Sequence, residues 1–330
     1  MARDARYMTT KKKASRRLAA GLAISALGIG VAACGGGEGS GDASARDGGL
    51  SGNIAIDGSS TVFPFAQAAA ELFNEENPDV RITIGQSGTG GGFEKFCAGE
   101  TDISNASRPI KDDEEAPLCE KAGVEYTELQ VANDGISVVT SPSLEVDCLT
   151  TEQLEQMWTA GSKVDSLSDV DPSLPDTKLS FYGPGTDSGT FDFFTDEING
   201  EEGVTREDYE ASEDDNQLVT GVSGDEGGIG YFGFSYYEAN QDKLNLVGVD
   251  GGDGCVKPSA ETIQDGTYKP LARPIFMYPK QEALGRPEVK AFMDFVVANQ
   301  QQINEAAQLV PLTAEQAADA ETALGGTGGA

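Results

Sequence analysis

Histidine is absent from the sequence. The side chain that most readily exchanges a proton near neutral pH, and the one that most often ligates zinc, is therefore missing. Nucleophile activation by a Ser-His or Cys-His pair is excluded with it. Basic residues are also scarce: 23 Lys and Arg stand against 55 Asp and Glu, a formal net charge of −32. A surface of that sign repels nucleic acid and anionic lipid. It repels small anions at long range too, so any anion site must work through donors at contact distance. Long apolar runs are equally rare. Only Leu18 to Ala33 forms one, and its 16 residues fall short of the roughly 20 that span a bilayer as a helix.

That run follows Lys11, Lys12, Lys13, Arg16 and Arg17 and ends at Cys34, which is the layout of an export signal. The tetrapeptide Val31-Ala32-Ala33-Cys34 resembles a bacterial lipobox, in which the cysteine is acylated and becomes the new N-terminus. Residues 1–33 are accordingly expected to be a lipoprotein signal peptide, Cys34 the lipidation site, and 34–52 a lipid-anchored Gly/Ser-rich linker. Loss of residues 1–33, with seven basic and one acidic side chain, takes the net charge from −32 to −38. Four cysteines lie beyond Cys34, namely Cys97, Cys119, Cys148 and Cys255. In an oxidising compartment an even count favours disulfides. Three connectivities are open; Cys97–Cys119 with Cys148–Cys255 is favoured because each pair then lies within one expected lobe. Their spacing matches no zinc-ligand pattern, and no metal site is expected.

Strand and helix patterns alternate through the rest of the chain. Asn53 to Ile56, Val80 to Ile84, Asp102 to Ser104, Ile136 to Thr140, Leu179 to Tyr182, Ile229 to Phe234, Leu244 to Val249 and Ile275 to Tyr278 read as strands. Phe65 to Asn77, Phe93 to Ala98, Thr150 to Trp158, Thr190 to Ile198 and Pro287 to Ala298 read as helices. This alternation argues for an α/β fold. The roughly 280 residues beyond the linker exceed one usual core, so two lobes are expected. Lobe I comprises 53–138 plus 275–330, and lobe II comprises 139–274.

Three places share one construction, in which a strand leads through a Gly/Ser/Thr-rich turn into a helix. They are Gly58 to Thr61, Ser87 to Gly92 and Asp187 to Thr190. A helix N-terminus offers unpaired N–H groups and partial positive charge, glycine admits an anion closely, and hydroxyls add donors. Three such ends converging would enclose a tetrahedral oxyanion. The second turn lacks the Lys-Ser/Thr of a P-loop, and Phe93 occupies the last glycine of a G-x-G-x-x-G, so nucleotide binding is set aside. Ser188 could pass for a hydrolase nucleophile, but no base accompanies it.

Taken together, Ile56-Asp57-Gly58-Ser59-Ser60-Thr61-Val62-Phe63-Pro64, Ser87 to Phe93, Ala106-Ser107-Arg108-Pro109, Gly183 to Thr190 and Ile229-Gly230-Tyr231-Phe232 resemble the phosphate-binding proteins of bacterial phosphate ABC transporters, the PstS family. The resemblance implies a two-lobed periplasmic-binding-protein fold of type II, each lobe a mixed sheet flanked by helices, with two crossing hinge segments. It implies capture of inorganic phosphate and delivery to membrane permease subunits of an ABC importer, without catalysis or cofactor. It also implies a monomer anchored by lipid on the extracytoplasmic face. The alternatives are another oxyanion, sulfate or molybdate, and a sensing or adhesive lipoprotein without a transporter.

Carried over by motif, the ligand contacts are Ser60, Thr61 and the Val62 N–H in the first turn, Ser87 or Thr89 in the second, and Ser188, Gly189 and Thr190 in the third. Many family members carry an Arg where this chain has Pro184, and an Asp where it has Arg108. Arg108 is therefore expected to clamp phosphate with its planar fork. Asp134 is expected to accept the phosphate proton, with Asp57 and Asp187 as rivals.

The Cys34 reading is directly testable. Cys34→Ser should leave an unlipidated protein, retained as precursor or lost from the membrane fraction, with ligand binding intact. Undiminished incorporation of a labelled fatty acid would refute it.

Overall fold

The structure is a computed structural model, and it describes residues 49–186 and 188–325. The expected signal peptide, Cys34, the linker up to residue 48 and Asp187 lie outside the described residues. The chain runs β1 (Gly52–Gly58), α1 (Phe63–Glu76), β2 (Val80–Ile84), α2 (Gly88–Cys97), β3 (Ile103–Ala106), α3 (Ala116–Ala122) and a long β4 (Leu129–Thr140). There follow β5 (Cys148–Thr150), α4 (Thr151–Trp158), β6 (Ser180–Pro184), α5 (Gly189–Asn199), β7 (Glu210–Ser212), α6 (Asp215–Gly224) and β8 (Gly228–Gly233). Next come α7 (Phe234–Glu238), β9 (Asn245–Asp250), β10 (Cys255–Val256), α8 (Ala260–Gln264) and β11 (Ala272–Pro279). The chain closes with α9 (Gln281–Leu284), α10 (Pro287–Ala298), α11 (Gln300–Ala307) and α12 (Ala314–Gly325). No helix among the described residues is long and apolar enough to cross a membrane.

The strands form one mixed, curled sheet in the order β2-β1-β3-β11-β4-β8-β6-β7, with β9 joining β4 to β5 and β10. Parallel pairs lie toward the two ends, β2-β1-β3 and β8-β6-β7, while β11 and β4 run antiparallel to their neighbours in the middle. β4 changes partner along its length. Residues 129–135 pair with β11, and residues 136–140 pair with β8.

The core divides at the same place. Ile54, Phe65, Phe73, Val131, Ile275 and Phe292 belong to one buried cluster, whereas Ile136, Trp158, Phe181, Phe194, Tyr231 and Val247 belong to another. Within β4 the change falls between Ala132 and Ile136, and at β11 it falls between Leu271 and Ile275. Each cluster is what an amphipathic helix layer and one sheet face bury together. The second is centred on Trp158, which is fully buried and packs edge-to-face with Phe181, Phe194, Tyr209 and Tyr231 at centroid separations of 4.8–6.0 Å. Cys97 is bonded to Cys119 and Cys148 to Cys255, the pairing favoured from sequence.

Two elements differ from the sequence expectation. The glycine run expected as a turn, Gly88 to Gly92, is the first turn of α2. Glycine weakens a helix by roughly 1 kcal/mol per residue relative to alanine, and packing explains its presence at the inner end of the run: a β-carbon on Gly92 would come within 2.5 Å of Gly58 Cα. β4 starts seven residues before the expected Ile136, because the polar Asn133-Asp134-Gly135 is buried rather than looped. Asn133 exchanges backbone hydrogen bonds of 2.9 Å with Val310, and its amide reaches Pro311 O at 3.2 Å.

Trp158→Ala should lower unfolding stability by about 3–5 kcal/mol, the range for deleting a large buried aromatic ring. Urea unfolding followed by circular dichroism checks this, and a change well under 1 kcal/mol would contradict the packing described.

Candidate functional site

β1 ends at Gly58, whose φ of +144° and closeness to Asn105 O admit no side chain. The turn from Ser59 to Val62 then feeds α1, whose start has no side-chain cap. The amides of Ser59, Val62 and Phe63 bond within or beside the turn, while those of Ser60 and Thr61 make no backbone hydrogen bond among the described residues. Val62, expected from sequence as a contact through its N–H, follows Thr61 in the turn. Its N–H turns inward to Ser59 O at 3.2 Å and its side chain is fully buried, so neither faces a recess.

The second helix start lies beside the first, held by Asp57. That carboxylate accepts from the Ser87 amide at 3.2 Å, from the Ser87 hydroxyl, and from Lys95 Nζ at 2.7 Å. The Ser87 hydroxyl thus donates to Asp57. Thr89 is the freer residue of this turn. Its oxygen lies 3.1 Å from Ser107 Oγ and accepts from the Ser107 amide at 3.2 Å, leaving one hydroxyl hydrogen of the pair available. Burial pushes the Asp57 carboxyl up, but the donors Lys95 and Ser87 outweigh it and hold it below its ordinary value.

Arg108 reaches the same recess, yet its fork is occupied. Two nitrogens bond Glu115 at 2.6 and 2.8 Å, and one also reaches Pro109 O at 3.1 Å. The pair is bidentate and well oriented. With 35% of its side chain exposed, Arg108 lines the first recess while paired with Glu115.

The third helix start abuts the first. Ser188 caps α5 by accepting from Thr190 N at 3.2 Å, and a β-carbon on Gly189 would lie 2.4 Å from Thr61 N. Thr61 Oγ1 donates to Gly189 O at 3.2 Å. Arg273, from β11, closes this junction. It donates to Thr61 Oγ1 and to Gly189 O, pairs with Asp134 at 3.3 Å, and lies 3.7 Å over the Phe193 ring. Burial pulls the Arg273 pKa down while Asp134 raises it.

Two recesses flank this junction, and Ser60 and Thr61 line both. The first, about 430 Å³, takes in Ser87, Thr89, Ser107, Arg108, Asp192 and Arg273. The second, about 390 Å³, takes in Asp134, Ser188, Gly189, Thr190, Asp215 and Tyr236. The sequence-derived set is therefore brought to one junction but divided between two faces of it. Asp134 lies on the second face, tied to Arg273. The first recess holds Arg108, Arg273 and two helix starts, together with the carboxylates of Asp192, Asp196, Glu197 and Glu202. Burial next to Asp214 and Glu213 pushes Asp215, in the second, up to about 7. Among the described residues no cluster of His, Cys, Asp and Glu could hold a metal ion.

Ser107, Asp192 and Arg273 line the first recess and were not singled out from sequence. Ser107 sits within a motif that was noticed, but Arg273 and Asp192 belong to none. Arg273 is 212 residues from the threonine it touches.

Residues 43–300 match the family model for the PBP superfamily domain. Protein SphX of Synechococcus elongatus is 47% identical over 265 residues, 79% of this chain and 78% of that protein. The phosphate-binding protein PstS of Staphylococcus saprophyticus is 41% identical over 268 residues, 81% of this chain and 80% of that protein. Among solved structures, a possible phosphate binding protein from Planctomyces limnophilus superposes with a TM-score of 0.80 at 41% identity, covering 85% of this chain and 100% of the other.

The Asp57 arrangement has a pH consequence. A carboxyl lowered in the folded state contributes stability that is complete above its unfolded value, about 4, and is lost as pH falls through the folded value. Lys95→Met should therefore move the acid-unfolding midpoint to higher pH. A midpoint left unchanged in a near-ultraviolet circular dichroism titration would separate Asp57 from this role.

Proposed function

The chain belongs to the PBP superfamily and within it to the PstS-type phosphate-binding proteins, and from that premise we propose that it captures inorganic phosphate in the first recess and hands it to an ABC-type importer. The observation that carries this reading is the meeting of two uncapped helix starts, three hydroxyls and two guanidiniums in one recess. A phosphate entering it meets the free amides at Ser60 and Thr61, the hydroxyls of Ser60, Thr89 and Ser107, and Arg108. Arg273 stands behind Thr61, where Asp134 fixes its orientation. The third start, Ser188 to Thr190, closes the junction from the side of the second core.

These interactions act at contact range and are screened little by salt, which suits a ligand whose long-range attraction is unfavourable. The reaction is capture and release, with no bond made or broken. Two lobes, 53–138 plus 275–330 and 139–274, close about the crossing segments in β4 and β11. A lipid on Cys34 would keep a monomeric carrier next to its permease on the extracytoplasmic face.

Calorimetry of the soluble fragment from Gly35 with phosphate, arsenate, sulfate and molybdate tests the ligand. Phosphate and arsenate should bind and the other two should not; preference for sulfate or molybdate would select the other oxyanion reading. Arg108→Ala should weaken phosphate about tenfold or more, since a charge-assisted hydrogen bond contributes roughly 1.5–3 kcal/mol. Unaltered affinity would remove Arg108 from the site.

A further inference from the structure

The segment that joins α11 to α12 is bonded to the half of the molecule it is not counted in. Both helices pack in the first core, through Ile303, Ala320 and Leu324, yet Val310 between them is buried in the second. Gln308 ends α11 in the left-handed conformation, with φ of +56°, and its carbonyl accepts from the Ser235 hydroxyl of α7 at 2.8 Å. Pro311 O accepts from Gln264 Nε2, at the end of α8, at 2.9 Å, and Gln316 Nε2 returns a bond to Gln264 O at 3.3 Å. Ser235 and Gln264 fall within 139–274, so these bonds run from one proposed lobe to the other.

Between the two ties the segment lies along the edge of β4 that β11 leaves open. Asn133 and Val310 exchange backbone hydrogen bonds of 2.9 Å, and the Asn133 amide reaches Pro311 O and Gln316 Oε1, both at 3.2 Å. The next residue of β4 is Asp134, which orients Arg273. Residues 308–316 therefore run beside the two crossing strands and are bonded on either side of the crossing.

We propose that residues 308–316 are a third crossing segment, a strap that holds the lobes closed and slows the release of bound phosphate. This rests on the lobe motion and the phosphate reading given above. β4 and β11 are adjacent, paired strands, and a hinge of that kind bends and twists as one unit. The ties at Ser235 and Gln264 stand off it, on helices carried by the second core, so rotation of one lobe against the other stretches them. Each bond is modest, and a modest bond shifts the populations of open and closed forms several-fold when the two differ little in free energy. Neither Ser235 nor Gln264 lines the first recess, so the strap acts on how long the ligand is held and not on which anion is chosen.

The test uses the full chain as wild type, Ser235→Ala, Gln264→Leu and the two changes combined. Gln308→Gly is the control, because glycine adopts a positive φ freely and keeps the carbonyl that Ser235 meets. Phosphate release, followed by stopped flow, should be about threefold faster in each single variant and about tenfold faster in the double one, with Gln308→Gly at the wild-type rate. Hydrogen exchange without ligand should quicken in the same order at residues 59–62 and 188–193, which meet between the lobes at Thr61 and Gly189. Release and exchange at wild-type rates in Ser235→Ala and in the double variant overturn the strap and leave the phosphate reading standing. A wild type that does not bind phosphate overturns the phosphate reading, and exchange alone then decides the strap. Should the double variant fail to fold, Ser235→Ala, which removes a single hydroxyl, decides by the same two measurements.

Discussion

Contact between chain segments that ordinary side chains would hold apart is the constraint on which the site depends. Gly58 meets Gly92, and Gly189 meets Thr61, at distances where a β-carbon would collide with backbone. Without those approaches the starts of α1, α2 and α5 would each remain a separate helix end with its amides in water. Brought together, their unpaired N–H groups and hydroxyls act at contact range, where a net charge of −32 spread over the surface has little influence. The glycines weaken α2 as a helix, and the recess is what that weakness permits.

Charge at the site is arranged in pairs. Arg108 with Glu115, Arg273 with Asp134 and Lys95 with Asp57 each join a cation to a carboxylate that fixes its direction. A buried guanidinium left alone would be costly, and a paired one retains free donors on its other edges. Asp57 and Asp134 each fix the direction of the groups they hold. Asp192 is the exception, since only a hydroxyl bonds it among the described residues.

The same junction is where the two cores meet. β4 and β11 each belong to both, and both pass beside the recess, with Asp134 and Arg273 at the crossing. These two residues face each other in register across the strands, so the pair that orients the junction sits on the segments about which the proposed lobes would move. Rigid cores on either side, one of them packed around Trp158, confine such motion to the crossing.

The sequence by itself determined the alternation of strand and helix, the missing histidine chemistry and the three Gly/Ser/Thr-rich segments, and it favoured one of three cysteine pairings. Each of these is a local pattern, and local patterns follow from backbone sterics and side-chain type. It did not determine that Gly88 to Gly92 is helical, because propensity argues against it and only the close approach to Gly58 favours it. Nor did it determine that Asn133 to Gly135 continues a strand, since the partners of Asn133 lie at residues 310 and 311. The tertiary structure alone decided which charged groups were free. Arg108 and Glu115 are seven residues apart and could be guessed as a pair, but Arg273 with Thr61 and Asp192 with Ser60 are separated by 212 and 132 residues. No spacing rule reaches that far, because the distance is set by how the sheet curls and how α5 packs against the first turn.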